Sequence, residues 1–111
     1  MSVLRLYVWQ RVTAMLLVPL ILGHIGVIFY ASARGITASE ILGRTRGSVG
    51  WGLFYGVFVV LAAVHGAIGV RGVCKDWFDL SERALDVILT VFAVVLLVKG
   101  LRAVAAVVLA L

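Results

Sequence analysis

Two stretches of this chain are too long and too apolar to fold in water. Val12 to Ala33 carries no Asp, Glu, Lys or Arg, and neither does Gly47 to Val70. A helix that crosses a bilayer core about 30 Å thick needs about 20 mainly apolar residues, each rising about 1.5 Å. Both stretches are long enough. A third begins near Ala84, with Asp86 close to its start and Lys99 and Arg102 late in it. A helix that starts near Arg83 puts Lys99 about 24 Å along its axis, close enough to the far interface for the ammonium to snorkel. Ala103–Leu111 then runs on past the interface or tilts within it.

Composition excludes the alternatives. The chain is 64% hydrophobic and 14% charged, against about 45–50% and about 25% in soluble domains. That excludes a soluble or disordered chain. One Pro and one Cys exclude a collagen-like or disulfide-stapled one. A net charge of +5 would suggest nucleic acid in a soluble protein. Here the basic residues stand at the ends of apolar runs, so lipid headgroups are the expected partners and nucleic acid is not.

The reading is an all-α membrane protein of one domain, residues 1–111, with three transmembrane helices at about 11–33, 48–72 and 83–108. The first connection, Gly35–Gly47, is polar, and Thr37-Ala-Ser39-Glu40 can cap or begin a short interfacial helix. The second, Lys75–Glu82, holds Asp76 and Asp79, with Ser81 as N-cap of the third helix. Tyr7, Trp9, Phe29, Tyr30, Trp51, Trp77 and Phe78 fall near span ends, as an aromatic belt does. The first span is too long for a signal-peptide core and has no small-residue cleavage site, so it is expected to be retained. Basic residues divide evenly between the two sides and leave orientation open.

Both histidines lie within spans, and each is beside glycine: Gly23-His24 and His65-Gly66. An ionisable residue inside a membrane is a functional hypothesis by default. One reading is a neutral imidazole that hydrogen-bonds between helices. The other is ligation of a metal, in a helix bundle most often haem iron. Helical rise puts His24 about 20 Å from the Arg11 face and His65 about 9 Å from it, so the two imidazoles differ in depth by about 10 Å. They cannot share one iron. A bis-histidine haem would take its second ligand from another chain, which makes this chain half of a heteromeric haem-binding bundle. Cys74 can form neither an intrachain disulfide nor a zinc site, and reads as an apolar filler. Gly66-Ala-Ile-Gly69 is a helix-packing spacing rather than a phosphate loop.

Three segments together resemble a known family. Trp9-Gln10-Arg11-Val12-Thr13-Ala14 precedes the first span. His65, Gly69, Asp76 and Trp77 follow in series in and after the second, and a third apolar helix completes the chain. This resembles the small hydrophobic anchor (D-type cytochrome b subunit) of succinate dehydrogenase, the succinate:quinone oxidoreductase of the respiratory chain and tricarboxylic acid cycle. The resemblance implies that His65 is an axial ligand of haem b. It places Asp76 and Trp77 beside a quinone pocket, and Arg11 near haem propionates and quinone. The family commonly has Tyr where Trp77 stands, so the quinone contact differs in reach. Arg71, one and a half turns beyond His65, could meet a propionate by its spacing. His24 matches the branch with two haems, whose first helix ligates the distal one. That branch favours two haems over one, with Lys99 and Arg102 as distal propionate partners or ordinary snorkelling residues. The implied partners are a second hydrophobic cytochrome b subunit, an iron–sulfur subunit and a flavoprotein. The implied setting is multi-pass in the inner or cytoplasmic membrane, with the N-terminus inside. A fumarate reductase anchor and a cofactor-free membrane subunit are the alternatives.

Overall fold

The computed structural model describes residues 2–109. The order is α1 (Val3–Arg34), α2 (Ala38–Thr45), α3 (Val49–Trp77) and α4 (Glu82–Val108), with no strand among the described residues. α1, α3 and α4 are each long and apolar enough to cross a membrane. The expected all-α, three-span architecture is therefore present, and α2 occupies the first connection.

Two helix ends fall outside the apolar runs. α1 begins at Val3 rather than near residue 11, because the Ser2 side chain accepts from the Arg5 N–H and caps it. α3 continues past residue 72 to Trp77. Arg71, and then Lys75 and Asp76, end the apolar run but not the ladder of backbone hydrogen bonds, which stops only where Phe78 turns extended. Asp76 and Trp77 therefore ride on the last turn of α3 and not in a loop. Ser81 caps α4 as expected, its Oγ accepting from the Ala84 N–H at 3.1 Å.

The first connection is built to bring α2 back onto the bundle. Gly35 ends α1 in the left-handed region at φ 63, which costs glycine nothing sterically. Thr37 caps α2 by accepting from the Glu40 N–H at 3.3 Å. At the other end Thr45 Oγ1 donates to the Val107 carbonyl at 2.7 Å, and the Gly47 N–H donates to the Val108 carbonyl at 2.7 Å. Carbonyls in the last turn of a helix have no partner of their own. α2 and its flanking turn therefore clasp the far end of α4.

α3 lies between α1 and α4. Glycine lets the helices approach: Gly23 faces Phe54, Gly69 faces Gln10, and Gly66 faces Leu96. Gly100 of α4 lies against Val59, closely enough that an added Cβ would overlap that side chain. Packing of this kind drives helix association in lipid, where tails are as apolar as Leu. Gly100→Leu is expected to destabilise the α3–α4 pair by about 1–3 kcal/mol through overpacking. Gly72→Leu, where a Cβ meets nothing within 4 Å, should stay within about 0.5 kcal/mol. Thermal unfolding of the two variants in one detergent checks the contrast; equal midpoints would refute the close approach.

The interior is small. Leu17, Ala63, Ala67, Leu85 and Leu89 are its buried apolar residues, with Thr13, Thr45 and Arg71 as buried polar ones. Most large apolar side chains face outward, Met15, Phe29, Leu53 and Val98 among them. Lipid or another chain must cover them.

Candidate functional site

α1 and α3 run antiparallel, and two polar rungs cross between them. In the first, Thr13 Oγ1 lies 3.2 Å from His65 Nδ1. In the second, Tyr55 Oη lies 3.2 Å from His24 Nδ1. The residue numbers in each pair add to nearly the same total, as in the Gly69–Gln10 and Gly23–Phe54 contacts, so one register sets all four. The rungs are about 15 Å apart along the axis by helical rise, rather than about 10 Å. Each imidazole therefore keeps a separate neighbourhood.

The first rung fixes a tautomer. Thr13 is buried, and its hydroxyl donates back to the Trp9 carbonyl at 2.7 Å, with the Gln10 carbonyl at 3.2 Å. A hydroxyl has one proton and two lone pairs. With that proton spent on α1, Thr13 Oγ1 can only accept from His65, so Nδ1 of a neutral His65 carries the hydrogen. Nε2 then holds a free lone pair. It has no hydrogen-bond partner among the described residues and is not among their sealed, unpartnered atoms. An imidazole held through Nδ1–H with Nε2 free is the posture of a metal ligand.

The second rung does not choose between tautomers, because a phenol can donate or accept. The His24 ring meets Tyr55 and Phe58 edge-on, at centroid distances of 5.5 and 5.6 Å. It borders a cavity of about 340 Å³ shared with Val59, Gly100 and Val107. Lys99 and Arg102 are exposed on α4, and make no ion pair with the described residues. No group of three or more His, Cys, Asp or Glu among the described residues could hold a bare metal ion.

Arg11 stands level with the first rung. Its Nε donates to Tyr7 Oη at 3.2 Å, and the guanidinium lies 5.3 Å from the Tyr7 ring centroid. Asp76 and Trp77 are about 17 Å further toward the same end of the bundle by helical rise. Both are exposed, Trp77 at 79%. Between these levels runs a groove of about 310 Å³ beside Tyr7, Gln10, Gly69 and Lys75.

Arg71 is placed differently from a free propionate partner. It is buried, at 4% exposure. Its Nη2 lies 2.8 Å from Glu82 Oε2 and 3.0 Å from Asp86 Oδ1, and its Nε donates to Asp86 at 3.1 Å. The guanidinium ties α3 to the first turns of α4. Cys74 is a free, half-buried thiol.

Thr13 and Tyr55 are the site residues that spacing alone did not single out. The signal for them exists: once α1 and α3 are antiparallel, each histidine faces the residue that completes the shared total.

A family model described as succinate dehydrogenase/fumarate reductase transmembrane subunit matches residues 4–109. Comparison with curated proteins gave no match, and comparison with solved structures gave none. The chain belongs to the matched family, whose members are integral membrane subunits of multi-subunit, quinone-linked oxidoreductases and are generally associated with b-type haem.

Proposed function

We propose that this member of the succinate dehydrogenase/fumarate reductase transmembrane family anchors a succinate:quinone oxidoreductase and supplies one axial ligand, His65, to haem b. The observation that carries the proposal is the Thr13–His65 rung, which leaves Nε2 free as a donor. The chain's donor chemistry fits the group: a soft-enough neutral nitrogen, oriented by a hydroxyl behind it. Haem b supplies one-electron storage between the iron–sulfur relay and quinone. The second ligand comes from a second hydrophobic cytochrome b subunit, and flavoprotein and iron–sulfur subunits dock on the N-terminal side, which lies inside. His24, in its own polar rung, is assigned as ligand of a second, distal haem, with Lys99 and Arg102 toward its propionates.

Arg11 lies level with His65 and is assigned to the propionates or quinone. Asp76 and Trp77 are assigned to the quinone side, where an indole N–H can donate to a quinone oxygen and a carboxylate can pass a proton. Trp77→Ala is expected to lower quinone reduction about 2–10-fold, the worth of one hydrogen bond. Succinate oxidation by an artificial acceptor should be unchanged. An unchanged rate of quinone reduction would remove Trp77 from the quinone site, and equal loss of both activities would mean failed assembly.

Haem b per flavin in the purified complex tests the proposal as a whole. Two haems support both histidines, and one supports His65 alone. None, in an intact flavin-containing complex, overturns ligation. A fumarate-reducing complex would meet the same geometry with electrons flowing the other way, and succinate and fumarate turnover rates distinguish the two.

A further inference from the structure

The end of the bundle away from His65 carries a pair of cations, Arg34 and Arg44, that the haem and quinone assignments above do not use. α1, α2 and α3 border a half-open apolar cavity of about 360 Å³, lined by Gly26, Val27, Ile41, Trp51 and Tyr55. Tyr30 also borders it, and two cations converge on that one ring. The Arg34 guanidinium carbon is 5.5 Å from the ring centroid and that of Arg44 is 5.8 Å away. The two positive charges are therefore no more than about 11 Å apart.

Neither arginine has an ion-pair partner among the described residues. The acid nearest in sequence to Arg44, Glu40, accepts from the Thr37 hydroxyl at 3.1 Å. An aromatic face attracts each cation but does not neutralise either. Two uncompensated guanidiniums above an apolar hollow, at the headgroup level of a spanning helix, lack an anion with a hydrocarbon tail.

We infer that this cavity binds one anionic phospholipid, its phosphate between Arg34 and Arg44 and an acyl chain in the hollow against Gly26. Guanidinium forks match phosphate oxygens, and fixed cations at a membrane surface select anionic over zwitterionic lipid. Free phosphate would use only the rim. The glycine supports the acyl assignment: a Cβ at Gly26 would meet nothing within 4 Å, so the space beside its backbone is open to a chain.

The test isolates the complex in detergent and exchanges it into detergent micelles doped with equal amounts of phosphatidylglycerol and phosphatidylcholine. Bound lipid per chain is then counted by mass spectrometry. Wild type should retain one phosphatidylglycerol in preference to phosphatidylcholine. Arg34→Gln/Arg44→Gln should bind it about 30-fold more weakly, and either single variant about five-fold, since each interfacial cation contributes a factor of that size. Gly26→Leu, which fills the hollow and keeps both cations, should lose it as well. Phosphatidylglycerol retained by the double variant would overturn the proposal. So would equal retention of both lipids, or displacement by millimolar inorganic phosphate. Haem lost from the arginine variants with lipid unchanged would assign the cations to a propionate instead. The arginines are exposed, so the double variant decides the matter even if Gly26→Leu fails to assemble.

Discussion

On the ligation proposed for His65, His65→Ala is expected to strip the complex of one haem b, seen as a lost band in the reduced-minus-oxidised spectrum. The flavin and iron–sulfur content should stay. Thr13→Val is the informative companion. It keeps the shape of the side chain and removes the acceptor from His65 Nδ1–H. A hydrogen bond between transmembrane helices contributes about 0.6 kcal/mol on average, so α1 and α3 should remain paired. As the proposed ligand, however, His65 would lose the partner that raises its basicity. Ferric iron is then less well stabilised, and the haem potential should rise by on the order of 20–60 mV, the one-electron equivalent of about 0.5–1.5 kcal/mol. Redox titration of the two spectra checks both. An unchanged spectrum in His65→Ala would remove the residue as ligand. An unchanged potential in Thr13→Val would reduce the rung to packing.

Arg71→Met should be the most destabilising charge substitution in the chain. The guanidinium is buried, while Glu82 and Asp86 keep 66% and 33% of their side chains exposed. Water reaches the carboxylates and softens their loss, so the full about 3–5 kcal/mol of a broken buried pair does not apply; about 2–3 kcal/mol is expected. Arg71→Lys should recover only part, because a point charge cannot repeat a fork that meets two carboxylates. Unfolding in denaturant, read by helical circular dichroism and by release from the complex, measures this. Loss of haem at unchanged stability would give Arg71 to a propionate rather than to the α3–α4 joint.

What the amino-acid order made legible follows from how local each cause is. Two spans were readable because charge-free runs are continuous in sequence, and the third because its charges, Asp86, Lys99 and Arg102, fall near its ends. Ser81 and Thr37 were readable as caps because their partners lie three residues on. Helix ends at Val3 and Trp77 were not, since polarity marks where lipid stops and not where backbone hydrogen bonding stops. Thr13 opposite His65 and Tyr55 opposite His24 depend on a register between distant segments, which becomes visible only once α1 and α3 are packed. Arg71 was singled out for its spacing from His65, yet its partners lie across the turn on α4. Gly100, unremarkable among twelve glycines, matters only because Val59 stands against it.

The clasp between α2 and α4 has a consequence in time. Thr45 and the Val107 carbonyl it holds are 62 residues apart in the chain. At about 5–20 residues per second, the ribosome delivers the clasp about 3–12 s before the turn it fastens. Until then the Thr45 hydroxyl has only the Leu42 carbonyl of its own helix, at 3.5 Å, and the Gly47 N–H lacks its α4 acceptor. Their closure requires that synthesis has passed the last turn of α4, so that turn is locked by a segment made well before it.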